Sequence, residues 1–192
     1  MNLGDAKKRA LALMAEYSID GLQISKQENA DYLNRMPFFA HEAQMDISAR
    51  SGVTAVMSIE LVKQDDKKYT YIQLPEDYRE MKYVFFDEEL FTGNYSILNG
   101  QIRFNAGYSG TVDIYYWKYP KELTEETEDS YSFEVDREYH HLIPYYMGGK
   151  CMQDENQDIA ERLLSDYYNR LNDVREPHED GQTTIDNIFT IF

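Results

Sequence analysis

The sequence predicts an α+β fold: a bundle of about four helices, drawn from the N- and C-terminal parts, with an antiparallel β module of five or six strands inserted between them. Apolar residues recur at three-to-four spacing before residue 51 and again after residue 136, the pattern of helices with one buried face. Between those stretches the apolar residues alternate, as in half-buried strands, and Asn99-Gly100 separates two alternating runs in the manner of a tight hairpin. At 192 residues the chain suits one ordinary domain spanning 1–192. Within it the periods assign a helical part to 1–51 and 136–176, the β module to 52–120, an acidic connection to 121–135 and a tail to 177–192.

Asn2 or Asp5 can cap a first helix whose apolar stripe is Leu3, Ala6, Ala10, Leu13, Met14 and Tyr17. Asp20-Gly21 is a turn signal. Ser25 followed by Glu28 forms a capping box for a second helix over residues 26–50, with Leu33, Met36, Ala40, Ala43 and Ile47 on its stripe. Pro37 removes one backbone donor and is expected to kink that helix.

From Val53 the period becomes two, with Val53, Ala55, Met57 and Ile59 opposing Thr54, Val56, Ser58 and Glu60. Further strands are expected at 69–74, at 81–86 before the acidic turn Asp87-Glu88-Glu89, on both sides of Asn99-Gly100, and at 111–119 after the turn at Gly107 to Gly110. Asp136 is the expected cap of a third helix bearing Tyr139, Leu142, Ile143, Tyr146 and Met147, bent by Pro144. A fourth begins at Asn156 with Ile159, Ala160, Leu163, Leu164, Tyr167, Leu171 and Val174 on one face, and Glu176-Pro177 stops it.

Composition narrows the function classes. A net charge of -16, from 35 acidic and 19 basic residues, repels phosphate backbones and anionic lipid. No apolar run approaches the ~18 residues that span a bilayer. The single cysteine, Cys151, cannot form an internal disulfide, and no charged-then-apolar leader opens the sequence, so folding in a cytoplasm is expected. Seventeen tyrosines suit sheet faces and partly wet subunit contacts.

Residues that carry chemistry are not arranged for it. His41, His140, His141 and His178 include no pair three or four apart, so a zinc site has no frame. Glu138 and His141 make one Glu-x-x-His pair where a carboxylate-bridged di-metal bundle needs two. Cys151 reads as a small core residue beside Lys150 and not as an activated thiol. Phosphate-cradling loops, nucleophile elbows and calcium loops are missing from the sequence. No catalytic, cofactor or metal residues are assigned, and an enzyme is not expected.

Several phrases carry a resemblance over nearly the whole chain. They are the opening helix Ala10-Leu11-Ala12-Leu13-Met14-Ala15-Glu16-Tyr17 with Asp20-Gly21, and Leu74-Pro75-Glu76-Asp77-Tyr78. To these add 110–120 (GTVDIYYWKYP), 143–150 (IPYYMGGK), 158–164 (DIAERLL) and 167–171 (YYNRL). In these the chain resembles tailed-phage head-tail connector proteins, also called adaptor or head-completion proteins. The resemblance implies a structural virion protein of the neck, assembled in the host cytoplasm. It further implies a homo-oligomeric ring, typically of twelve subunits, that docks under the portal protein and extends the DNA channel. Its other end meets the next neck or tail-completion protein, DNA passes without specific binding, and no membrane or cofactor is involved. The tail residues Ile185, Ile188, Phe189, Ile191 and Phe192 are the expected docking segment, placed on the portal, on a neighbour or on their own domain. Two other classes remain open: a ligand- or carbohydrate-binding β module, on Tyr115, Tyr116, Trp117 and Tyr119, and an acidic DNA-mimic inhibitor.

Overall fold

The computed structural model describes residues 1–14 and 29–175. Two helices, α1 (Leu3–Leu13) and α2 (Ala30–Ser51), precede seven strands. These are β1 (Thr54–Leu61), β2 (Tyr69–Gln73), β3 (Tyr78–Phe86), β4 (Glu89–Leu90), β5 (Ser96–Leu98), β6 (Gln101–Asn105) and β7 (Gly110–Lys118). A 3-10 segment, Arg137–Leu142, then leads into α3 (Ile143–Met152) and α4 (Gln157–Leu171). The described residues thus form an α+β fold of four helices and two antiparallel sheets.

Two of the expected N-caps, Asn2 and Asn156, are used. Asn2 Oδ1 accepts from the Asp5 amide at 2.8 Å and Asn156 Oδ1 from the Ile159 amide at 3.2 Å, each pairing one of the donors a helix start leaves open. The stripes pack as the periods predict: Leu3, Ala6, Ala10, Met36, Ala40, Ala43, Ile47, Leu163, Tyr167 and Leu171 share one buried cluster. Ala40 and Ala43 on α2 are fully buried, and α2 continues through Pro37 to Ser51. Asp20-Gly21, the Ser25/Glu28 capping box and the whole tail lie outside the described residues.

The start of the chain's last third differs from expectation. Asp136 precedes the 3-10 segment and makes no side-chain cap bond, and Pro144 does not bend a helix but stands in the first turn of α3. The physical reason is that first-turn amides have no intrahelical partner, so a proline there loses nothing and its fixed φ favours the helix start.

Two sheets face each other across a second apolar cluster. One is ordered β1-β7-β3-β4 and the other β2-β6-β5. Ile102 and Phe104 of β6 meet Val112 and Ile114 of β7 there, with Leu61, Leu74, Val84 and Tyr116 around them. Asn99 (φ 52) and Gly100 (φ 72) make the expected β5–β6 turn. A second turn of the same hand, Asp87 (φ 48) and Glu88 (φ 69), returns β3 onto β4, a strand the sequence reading took as part of an acidic loop. β3 also starts earlier than expected, at Tyr78, because an irregularity in its pairing with β7 between Tyr78 and Glu80 breaks the simple alternation before Met81, and a second follows between Met81 and Tyr83.

Helices and sheets meet at a defined joint. Gly52 ends α2 at φ 74, and its bare Cα faces the Trp117 ring so closely that an added Cβ would stand 1.9 Å from a ring carbon. Arg79 Nη1 donates to the Ser48 carbonyl at 2.9 Å, closing the C-terminal end of α2 from β3. The Lys118 amide bonds the Val53 carbonyl at 2.8 Å, so the chain enters and leaves the sheets at adjacent points.

Candidate assembly surfaces

The tail residues Ile185, Ile188, Phe189, Ile191 and Phe192 lie outside the described residues, so the described fold is read for the surfaces it offers to partners. Its interior holds polar groups in structural roles. Tyr146 donates to Glu42 at 2.7 Å and Tyr167 to Asp46 at 3.3 Å, with the two rings 4.8 Å apart between α2, α3 and α4. Burial pushes both phenols far up and raises Asp46 as well, which keeps the hydroxyls as donors. Cys151 is buried and its thiol is pushed up to about 12 by desolvation, the condition of an inert core residue.

His140 and His141 hold local structure. His140 Nε2 meets the Val135 carbonyl at 2.7 Å, and burial lowers its pKa. His141 Nδ1 lies 2.6 Å from the Glu138 main-chain carbonyl, a contact within the 3-10 turn. Among the described residues no group of three His, Cys, Asp or Glu is placed to hold a metal ion. No helix among them is long and apolar enough to cross a membrane.

The aromatic run of β7 splits between two faces. Tyr116 points into the core, with its hydroxyl on Asp77 at 3.0 Å and its pKa pushed up to about 12 by burial. Trp117 is on the opposite face, packed on Gly52 and covered by the Lys82 ammonium 4.0 Å from its ring. Tyr116 is therefore withdrawn into the core, while Tyr115 and Trp117 share the outer face. That face carries a row formed by cross-strand pairing, Val56 with Tyr115 and Tyr115 with Tyr83, next to Phe85 and Leu90. Val56 and Leu90 are about half exposed, at 52% and 53%.

Two flanks of α1 differ in charge. On one, Lys7 pairs with Asp129 at 2.7 Å and the Gly4 amide bonds the Asp129 carbonyl, which ties down the acidic connection bearing Glu122, Glu125, Glu126 and Glu128. Arg9 is two residues on, about 200° around the helix, and so projects from the other flank. There it borders a cleft of about 440 Å3 with Arg170, His141, Ala12, Leu13 and Pro144.

Among known families, the model of the SU10 adaptor protein matches residues 1–186. The chain belongs to that family. It is thus a phage adaptor protein, a structural component of a virion, from a family of assembly proteins and not of enzymes. No curated protein matches it. For an adaptor, the outer sheet row, the acidic connection and the arginine-lined cleft are the candidate surfaces for partners, since each is open on the described fold. Sequence reading named one of them, the acidic connection at 121–135. The sheet row needs the register, and the cleft needs α1, α3 and α4 assembled; only the acidic connection announced itself, by composition.

Proposed function

We propose that this adaptor forms a ring, of twelve subunits, that docks beneath the portal protein, extends the DNA channel and presents its far end to the next neck or tail-completion protein. The family match over residues 1–186, on a fold with strands set between two pairs of helices, supports this reading most directly. A net charge of -16 fits a channel through which DNA slides without being held. The tail residues Ile185, Ile188, Phe189, Ile191 and Phe192 are the segment assigned to the portal, since leaving them in water costs roughly 1.5–3 kcal/mol each and a groove or sheet edge on a partner would relieve that.

Imaging of the particle neck tests the ring: a twelve-fold layer of this chain directly below the portal is expected, and its presence as single copies or outside the neck overturns the proposal. Deleting residues 183–192 tests the tail. The truncated protein is expected to fold with unchanged helicity and to lose its capture by portal-bearing capsids; full capture would assign the docking elsewhere.

A further inference from the structure

The arginine-lined cleft beside α1 is not explained by the fold. In a chain of net charge -16, Arg9 and Arg170 stand around an apolar floor of Ala12, Leu13 and Pro144. Among the described residues no carboxylate pairs with either guanidinium; Arg170 instead lies 4.7 Å over the Tyr145 ring. Such a cleft fits an occupant that brings apolar side chains for the floor and carboxylates for the rim.

The chain carries a segment of that description. Ile185, Ile188, Phe189, Ile191 and Phe192 supply apolar groups, with Asp186 among them and Glu179 and Asp180 ahead of them. The last described residues lie against the 3-10 segment that lends His141 to the cleft. Val174 is buried in the helical core, and the Arg175 amide and carbonyl both meet the Tyr139 hydroxyl at 3.4 Å, two residues from His141. From Arg175 the chain to Ile185 can span up to about 33 Å, and a short tether of this kind holds its end at an effective concentration in the millimolar range.

We propose that this cleft holds the chain's own C-terminal segment, Ile185 to Phe192, in the subunit before it assembles. Apolar side chains lie on Ala12, Leu13 and Pro144, and Arg9 and Arg170 take the carboxylates. Covering the segment in this way keeps an aggregation-prone stretch out of water until a partner exchanges for it. Only the exchange step rests on the adaptor reading; occupation of the cleft does not.

The test is disulfide trapping in the full-length chain carrying Ala12→Cys and Phe189→Cys, oxidised at low micromolar concentration. Cys151 stays out of the exchange because it is buried. A bond within one chain is expected, forming about tenfold faster than in a control with Glu126→Cys and Phe189→Cys on the other flank of α1. Adding Arg9→Glu and Arg170→Glu is expected to slow it several-fold toward the control rate. Equal rates in the two pairs, or insensitivity to the charge reversals, would overturn the proposal. Bonds only between chains would also overturn it, giving the cleft to a neighbour's segment. Capture by portal-bearing capsids is scored separately on reduced and oxidised protein: trapping without capture of the reduced form would sink the portal-docking reading alone, and capture without trapping would sink the cleft alone.

Discussion

Single side chains in this protein set its response to pH and its core specificity. His140 is held as a neutral ring, with Nε2 against the Val135 carbonyl, and its folded pKa lies below the ordinary 6.5 because burial disfavours the cation. The unfolded chain therefore binds a proton at a pH where the folded chain does not. Stability from this group is complete above 6.5 and is lost as pH falls through the lowered folded value. Urea midpoints measured from pH 7 down to pH 5 are expected to fall, and His140→Gln, which can still donate to Val135, is expected to flatten that slope. Tyr146→Phe removes the donor to Glu42 while keeping the ring stack, and a loss of about 0.5–1.5 kcal/mol in equilibrium unfolding is expected. The helical stripe that holds these groups was legible in the sequence, since Tyr146 and Tyr167 fall on apolar periods. Their partners Glu42 and Asp46 were not, because two polar residues on α2 become partners only when α3 and α4 pack across it.

At the scale of elements, turns show where local chemistry decides and where tertiary contact does. Asn99-Gly100 is readable because both residue types accept the positive φ the turn needs. Asp87-Glu88 makes the same turn with a glutamate at φ 69, a residue that gives no signal, and it persists because the Asp87 carboxylate accepts the Thr111 amide at 2.8 Å. Glycine substitutions separate the two kinds of constraint. Gly100→Ala meets only the Gln73 side chain at 3.4 Å and is expected to cost about 1–2 kcal/mol from its backbone alone. Gly52→Ala adds a collision with Trp117 to a similar backbone strain, and a cost of roughly 2–5 kcal/mol is expected. Thermal unfolding of the two variants side by side checks the order; equal losses would show that the α2–β7 contact is softer than the packing indicates. Pro144 teaches the same lesson in reverse, for a proline reads alike whether it bends a helix or begins one, and only the 3-10 segment before it decides.

On the scale of the whole molecule, the helical periods at the two ends and the strand period between them foretold the architecture, while the pairing order β1-β7-β3-β4 came from contacts far apart in sequence. The clasp between the Val53 carbonyl and the Lys118 amide brings the two ends of the stranded region side by side, and Lys118 is further tied to Glu134 at 2.6 Å. An insert whose ends coincide behaves as a cassette. Replacing residues 54–117 by a short Gly-Ser linker is expected to leave the helical core folded, read as retained helical circular dichroism and cooperative melting; a molten product would show that the sheets hold the helices together. For a phage adaptor, that arrangement permits the helical body to stay constant while the cassette is exchanged or reshaped for whichever neighbour it must meet.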